Sequence, residues 1–451
     1  MSEAPARPSW RDTLVHIADW RVLRIGLLGF SSGLPLLLVF GTLSFWLAEA
    51  GIDRSTIGFV SWVALAYAIK VLWSPLVDRL PLPLLHGLLG RRRSWLLFSQ
   101  LCVAGGLLGM GLTDPALDLS RMVGLALLVA IASATQDIAV DAYRIEIAEP
   151  RLQGVMAGFY TTGYRLAMFS GSAGALVIAA FVDTDEATYQ QAPWMAAYAS
   201  MAALMLVGIL TTLFSPEPVV ADPLADDPGL EQGSLWQRAG HWLWDAVVLP
   251  FVDFVKRFGW LALLVLALIA SYRISDIVMG VIANVFYKDM GFTKDEVALV
   301  AKSFGVFMTI LGGLLGGVAV YRFGVMRMLL TGAVLAAATN LMFVWLASVG
   351  HDFWLLVLAV GMDNLSAGVA ASAFIAYLSG LTNVSYSATQ YALFSSLMLL
   401  LPKFIGGFSG VMVDSIGYQS FFTLTALMGV PVLLLILAAW RYTHVEVPVR
   451  D

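Results

Sequence analysis

Several ionisable side chains of this 451-residue chain stand inside long apolar runs of its sequence. An ionised group in hydrocarbon costs several kcal/mol unless it is paired or hydrated. Each of these residues therefore indicates an ion pair, a water-filled cavity or a binding site. The basic ones are Lys70, Arg165, Arg273, Lys302 and Lys403, and the acidic ones are Asp137, Asp141, Asp276 and Asp363.

The spacing of these residues suggests which of them act together. Asp137, Asp141 and Arg144 stand at i, i+4 and i+7, so they share one helix face, and Arg273 and Asp276 at i and i+3 can pair along their own helix. A carboxylate releases its proton beside a cation and takes one up when the cation withdraws. Asp137, Asp141 and Asp276 are therefore candidates for coupling protonation to a conformational change. Structural salt bridges would fit the same spacing equally well.

The elements that hold these residues are predicted to be membrane-spanning helices. Charged residues make up only 13% of the chain and hydrophobic ones 59%, whereas soluble domains contain about 25% charged residues. Apolar runs long enough to cross the roughly 30 Å hydrocarbon core occur twelve times. They cover residues 23–48, 55–78, 93–113, 121–145, 153–182, 192–215, 259–287, 295–320, 326–348, 352–379, 386–414 and 417–440. The predicted fold is therefore an all-α membrane protein.

The twelve spans divide into two sets of six. We predict a tail at residues 1–22, a six-helix bundle at 23–215, a linker with an amphipathic segment at 216–258, a second bundle at 259–441 and a tail at 442–451. Residues 49–57 resemble residues 289–297, as parallel repeats of a six-helix unit would require. Every third span (3, 6, 9 and 12) lacks charge between its ends. This pattern predicts that these four spans face lipid while the others surround a wet central cavity.

Basic residues set the expected orientation. Most Lys and Arg residues fall on the side of the two termini, and Arg54, Arg121, Lys288 and Lys294 are those on the opposite side. Basic loops favour the cytoplasm, so both termini are expected there.

Other classes of function are disfavoured by residues that the sequence lacks. The single cysteine, Cys102, excludes a disulfide framework and a cysteine-based zinc site. No P-loop for ATP and no nucleophile elbow occurs, and no histidine stands inside a span. No basic stripe indicates nucleic acid. We therefore expect no enzyme, metal or cofactor, and gradient-driven transport remains.

Short motifs connect the chain to known families. The segment Trp73-Ser74-Pro75-Leu76-Val77-Asp78-Arg79, followed by Gly90-Arg91-Arg92-Arg93, resembles the loop signature of the major facilitator superfamily. Its gating residues would be Asp78, Arg79, Arg91, Arg92 and Arg93. Within that superfamily the chain resembles the AmpG muropeptide permeases. The matching stretches include Gly33-Leu34-Pro35-Leu36, Ser133-Ala134-Thr135-Gln136-Asp137-Ile138, Gly163-Tyr164-Arg165-Leu166 and Ser387-Ala388-Thr389-Gln390.

The resemblance implies two pseudo-symmetric bundles of the major facilitator fold in a bacterial inner membrane. It implies proton-driven import of anhydromuropeptides (GlcNAc-1,6-anhydro-MurNAc peptides) from periplasm to cytoplasm for peptidoglycan recycling, and an indirect role in inducible β-lactamase expression. We expect a monomer whose partners are the lipid bilayer, this substrate and protons. A muropeptide carries carboxylates and hydroxyl-rich sugars, so cations, amides and aromatic residues would suit it. The candidate contacts are Lys70, Arg165, Arg273, Asp363, Asn364, Lys403, Gln136 and Tyr164.

Two alternatives remain at this point. The chain could import another bulky anion such as a coenzyme A thioester, because acetyl-CoA transporters are distantly similar. It could also be a membrane receptor that transports nothing, in which case neutralising Lys70, Arg165 or Asp137 would leave its activity intact.

Overall fold

The computed structural model describes residues 19–184, 188–219 and 244–442, and these residues contain no β-strand. Twelve helical segments are long and apolar enough to cross a membrane. The predicted all-α class with twelve spans is therefore confirmed. The segments are α1 (Trp20–Glu49), α2 (Ser55–Leu72), α3 (Arg91–Gly111), α4 (Leu119–Ile147), α5 (Pro150–Val182), α6 (Gln191–Leu213), α7 (Leu261–Asp289), α8 (Asp295–Phe323), α9 (Val325–Val349), α10 (Phe353–Leu381), α11 (Val384–Gly406) and α12 (Ser409–Tyr442).

Shorter helices connect the spans. A turn of helix at Ser74–Arg79 follows α2, and Leu85–Leu89 precedes α3. A linker helix at Leu249–Phe258, with a π-helical turn at Trp244–Val248 before it, leads into α7. The predicted tails fall largely outside the described residues, as does the first part of the amphipathic linker segment.

Gly417 separates the last two passes through the bundle. It interrupts the helix with φ 76°, a left-handed conformation that glycine adopts without a steric cost. Ser409 donates to the carbonyl of Val278, Tyr418 lies next to Asp289, and Ser275 donates to the carbonyl of Thr425. Residues 409, 418 and 425 thus contact α7 first at Val278, then at its end at Asp289, and then back at Ser275. The chain therefore reverses direction near Gly417, as the apolar runs 386–414 and 417–440 predict.

The two sets of six helices meet at one end of the bundle. Because consecutive spans alternate in direction, α1 begins and α12 ends at the same side, which we call the terminal end; the opposite side is the distal end. Gly154 and Gly158 of α5 lie against Gly317 and Gly313 of α8, and a Cβ atom at Gly158 would lie 2.6 Å from the carbonyl oxygen of Gly313. These glycines allow the backbones of the two halves to touch within the terminal half of the bundle.

The uncharged spans lie at the periphery, as their composition predicts. α3 packs on α4 and α6, while α9 packs on α10 and α12. The packing between the halves comes mainly from α2, α4 and α5 against α8, α10 and α11. The charged spans therefore surround the space between the two halves.

Candidate functional site

Breaks in helix geometry carry three of the basic residues inside the spans. Lys70 begins a 3₁₀ turn in α2 (Lys70–Leu72), and Arg273 lies where α7 breaks between Leu261–Ser271 and Ile274–Asp289. Lys302 lies in a π-helical stretch of α8 (Ala298–Phe304). Such irregular turns inside long helices often mark functional positions. Within a membrane they are tolerated where they face protein or water rather than lipid.

The first half contributes an acidic pair near two cations. Asp137 and Asp141 of α4 are buried, and the positive charge of Lys70 acts on both. Asp141 pairs with Arg144 at 3.5 Å. One carboxylate oxygen of Asp137 is buried without a hydrogen-bond partner in the described residues. The shared helix face predicted for these residues is thus present, and Asp137 is its unpaired acid.

The second half contributes two carboxylates and one guanidinium group. Arg273 pairs with Asp276 at 3.7 Å, which confirms the predicted i, i+3 pair. The negative charge of Asp276 also acts on Asp363 of α10, which accepts a 3.3 Å hydrogen bond from Thr339. This cluster therefore contains two carboxyl groups and one guanidinium group, so one carboxylate has no positive partner within it.

Charges of the two halves also face one another. The positive charge of Arg273 on α7 acts on Arg165 of α5, which belongs to the other half. Tyr164 lies beside Arg165, and its ring is 5.8 Å from that of Tyr160. The ring centre of Tyr391 on α11 lies 5.1 Å from the guanidinium carbon of Arg144. We call the region bounded by these residues and the two clusters the central site.

The other predicted substrate contacts include Gln136, Asn364 and Lys403. Gln136 is fully buried inside the first half, where it donates a 2.8 Å hydrogen bond to Ser31. This corrects the expectation that it meets substrate, because it faces α1 rather than the space between the halves. The side-chain oxygen of Asn364 accepts from Thr309 at 2.9 Å, which ties α10 to α8. Lys403 is exposed on α11 and forms no ion pair with the described acids.

A buried ionic network closes the terminal end. Arg92 is fully buried and donates to Asp78 at 2.7 Å, to Glu146 at 2.6 Å and to Ser387 of the second half at 2.9 Å. Asp78 accepts from the backbone N–H groups of Ala388 and Thr389 at 3.0 and 2.7 Å, and from the Thr389 hydroxyl at 2.6 Å. The carboxylate thus sits at the N-terminus of a helix, which favours negative charge. We call these six residues the gate cluster.

The remaining motif residues surround the gate cluster. Arg79 lies over the ring of Tyr386 at 5.1 Å, and Arg91 donates to the backbone carbonyl of Asp78. Arg93 donates to carbonyls at the end of α6. Arg144 adds another bond between the halves, to Ser379 at 2.8 Å. The predicted loop motif is therefore assembled at one end, and three of its residues, Asp78, Arg79 and Arg92, reach the second half.

The start of the linker is fastened to the same end. Glu217 accepts hydrogen bonds from the backbone N–H groups of Arg92 and Arg93 at 2.7 and 3.0 Å, and Tyr143 donates to the carbonyl of Pro216. Burial raises the pKa of the Glu217 carboxyl above its ordinary value, although these two donors act in the opposite direction. Glu217 therefore caps α3 from a position 125 residues away.

Comparison with known proteins identifies the family. A putative transporter, AmpG 4, of Rickettsia conorii is 32% identical over 93% of this chain and 96% of its own length. The anhydromuropeptide permease of Escherichia coli K12 is 36% identical over 93% of this chain and 80% of its own length. The chain belongs to the AmpG family.

Family models and solved structures agree on the fold of this AmpG-family chain. The Major Facilitator Superfamily model matches residues 260–451, and the model of acetyl-coenzyme A transporter 1 matches residues 23–115. The proton:xylose symporter XylE aligns over 96% of both chains with TM-score 0.63 and 15% identity. FucP, solved in the outward conformation, aligns over 94% of this chain and 99% of its own with TM-score 0.67 and 10% identity. The chain is a multi-pass membrane protein with the major facilitator fold.

Glu146 is the gate residue of this AmpG-family chain that the sequence did not indicate. It follows the predicted fourth span by one position and looks like an ordinary loop acid, yet its side chain is only 1% exposed. Its one sequence signal is that it extends the polar series Asp137, Asp141 and Arg144 along α4. Within the described residues, no group of three or more His, Cys, Asp and Glu side chains could hold a metal ion.

Proposed function

We propose that this chain is an anhydromuropeptide permease that imports its substrate by alternating access between its two halves. The observation that carries the proposal is the central site: charges from both halves face one space, while the charge-assisted hydrogen bonds between the halves lie at the terminal end. Membership of the AmpG family supports the choice of substrate, because the Escherichia coli relative bears the name anhydromuropeptide permease.

The arrangement suits transport from the distal to the terminal end. We propose that the terminal end is cytoplasmic, in a bacterial inner membrane, because the basic loops lie there. The structure then corresponds to a state that is closed towards the cytoplasm. Substrate enters from the periplasm, the gate cluster separates, and the substrate leaves on the other side. Exchange of two packed arrangements about a fixed site is the usual physical basis of such transport.

We further propose that the proton gradient drives import and that Asp137 carries the proton. Its carboxylate is buried, forms no salt bridge in the described residues and lies within the electrostatic range of Lys70. Movement of Lys70 would therefore decide whether a proton is bound. Asp141 and Asp276 are weaker candidates because each has an arginine partner. The protein would act as a monomer, without a cofactor, and would influence β-lactamase induction only through the imported fragments.

Uptake into proteoliposomes tests this function. Labelled anhydromuropeptide should accumulate when an inward proton gradient is imposed, and an uncoupler should abolish accumulation. Asp137→Asn should retain exchange of substrate across the membrane but lose accumulation. Asp118→Asn, which makes the same chemical change at an exposed helix cap outside the central site, is the matched control. Failure of the wild-type protein to take up the labelled substrate would contradict the proposal.

A second candidate is transport of a coenzyme A thioester, and the match of residues 23–115 to the acetyl-coenzyme A transporter model favours it. Competition separates the two, because acetyl-coenzyme A would displace labelled anhydromuropeptide only if it shared the central site. A receptor without transport activity would retain its activity when Lys70, Arg165 or Asp137 is neutralised, whereas a transporter would lose uptake.

A further inference from the structure

The linker helix and the turn before it expose a row of large apolar side chains. Trp244, Val247, Phe251 and Val255 follow one another at steps of three and four residues, so they share one helix face. Each of them is between 39% and 58% exposed. We call these four residues the apolar row. A continuous exposed patch of this kind indicates a partner that covers it.

A different face of the same helix is bound to the second half. Pro250 and Phe254 are buried, and the Phe254 ring lies 5.2 Å from that of Phe394 on α11. Gln390 of α11 donates to the carbonyl of Pro250 at 2.8 Å and to the carboxylate of Asp253 at 2.9 Å. The linker helix therefore packs beside the first turns of a membrane-spanning helix, and the apolar row points elsewhere.

The apolar row leads into a surface that faces lipid. Gly259, with φ 55°, turns the chain from the linker helix into α7. Trp260 and Leu263, at the start of α7, are each 75% exposed. Exposed apolar residues of a membrane span face lipid, and tryptophan is enriched at the membrane interface. Lys256 is also exposed and lies about 100° around the helix from Val255. The exposed surface of the linker helix thus has an apolar side, which is continuous with the lipid-facing start of α7, and a basic side.

We propose that the apolar row docks the linker helix into the interfacial layer of the membrane leaflet at the terminal end, with Lys256 directed towards water. Helices with one apolar and one charged side lie in this layer, because the apolar side chains leave water while the charged ones remain hydrated. The proposal goes beyond the proposed transport function. Its tests need no substrate, so it can fail while transport is confirmed, and the reverse.

Docking has a consequence for the gate cluster, because the linker helix contacts both of its sides. The π-helical turn Trp244–Val248 packs on the helix Ser74–Arg79, which carries Asp78. Gln390, which binds the linker helix, directly follows Thr389, a donor to Asp78. Separation of the halves at the terminal end must break one of these two contacts. A linker helix held at the membrane surface therefore favours the closed state of this end.

Collision rates of spin labels test the docking. Single labels at Phe251→Cys, Val255→Cys, Lys256→Cys and Leu263→Cys, in a Cys102→Ala background, are measured in vesicles of phosphatidylethanolamine and phosphatidylglycerol. Molecular oxygen concentrates in lipid, whereas a soluble nickel chelate stays in water. The ratio of oxygen to nickel collision rates at positions 251 and 255 should exceed that at position 256 at least about threefold and approach that at position 263.

Two results would overturn the docking. A ratio equal to that at position 256 would place the apolar row in water, and slow collision with both reagents would mean that protein, such as a second copy of the chain, covers it. One labelled position of the row is sufficient if the variant at the other folds poorly.

A double variant tests the effect on the gate cluster. Phe251→Gln combined with Val255→Gln removes the apolar side but introduces residues that favour a helix. With spin labels at Leu88→Cys and Gly380→Cys, in the same background, the population open at the terminal end should rise at least about threefold. Lys256→Gln places the same residue on the water side and should leave the distance distribution unchanged. An unchanged distribution in the folded double variant, or an equal shift in Lys256→Gln, would overturn the effect of docking on the gate.

Discussion

Asp78→Asn should weaken the closure of the terminal end. The Asp78 carboxylate accepts three hydrogen bonds from α11, two from backbone N–H groups and one from the Thr389 hydroxyl. Hydrogen bonds to a charged group contribute about 1.5–3 kcal/mol and neutral ones about 0.5–1.5 kcal/mol, so a bond loses about 1 kcal/mol when its acceptor becomes neutral. The amide of asparagine also replaces one acceptor oxygen by an NH2 donor, so at least one of the three bonds is lost altogether. The three bonds together therefore lose at least about 3 kcal/mol.

That loss acts on the equilibrium between two conformations. The three bonds exist only while the halves are joined at the terminal end, so the population open at that end should rise at least about 100-fold relative to the closed one. The ion pair between Arg92 and Glu146 lies within the first half and survives the change. The protein should therefore remain folded.

Distance measurements at the terminal end check this prediction. Spin labels at Leu88→Cys and Gly380→Cys suit the purpose, because Leu88 is 81% exposed and a Cβ atom at Gly380 would meet open space. The label distance should lengthen in Asp78→Asn and stay unchanged in Asp118→Asn. A folded Asp78→Asn protein with the wild-type distance distribution would refute the assignment of Asp78 to the gate.

Three further variants test the packing around this end. Gly158→Val places side-chain atoms against the Gly313 carbonyl and should destabilise the closed state by about 1–3 kcal/mol. The spin-label distance at the terminal end should then lengthen. Gly105→Val, at a glycine whose Cβ would meet open space, should leave this distance unchanged. Burial raises the pKa of Glu217 from the ordinary 4.5, so its contribution to stability is present at low pH and lost as the pH rises through the raised pKa. The melting temperature of the wild type minus that of Glu217→Gln should therefore decrease over this pH range. A difference that stays constant with pH would contradict this. Arg257→Ala removes bonds to Leu381 and Gln390 and should increase proteolysis of the linker helix, and unchanged cleavage would argue against this docking.

Local spacing and composition were sufficient to predict much of this molecule. The twelve spans follow from runs of apolar residues, and the pair Arg273–Asp276 follows from its i, i+3 spacing, because both depend on residues close in sequence. The 3₁₀ turn at Lys70 and the break at Arg273 were not predictable in the same way. Their backbone conformations depend on which helices pack against them, and the sequence pattern around them is that of an ordinary apolar helix.

The rotation of a helix about its own axis was a second feature that could not be predicted from the sequence. Gln136 and Asp137 are neighbours in α4, yet the amide faces α1 while the carboxylate faces Lys70. Successive residues of a helix point about 100° apart, so one of the two must turn away from the centre. Only the packing of α4 between its neighbours determines which one does. Glu146 was missed for a related reason, because its partner Ser387 lies 241 residues away.

The ionic character of the gate cluster follows from what a transporter gate must do. A charged group adds little net stability to a buried contact, because it gives up hydration when the contact forms. When the halves separate, Asp78 regains water in exchange for the hydrogen bonds from Ala388 and Thr389. Closed and open states are therefore close in free energy, while the geometry of the closed state remains specific. An apolar contact of the same size would expose hydrocarbon on opening and would favour one state more strongly. The charges of the gate cluster thus make the closed end both selective and reversible.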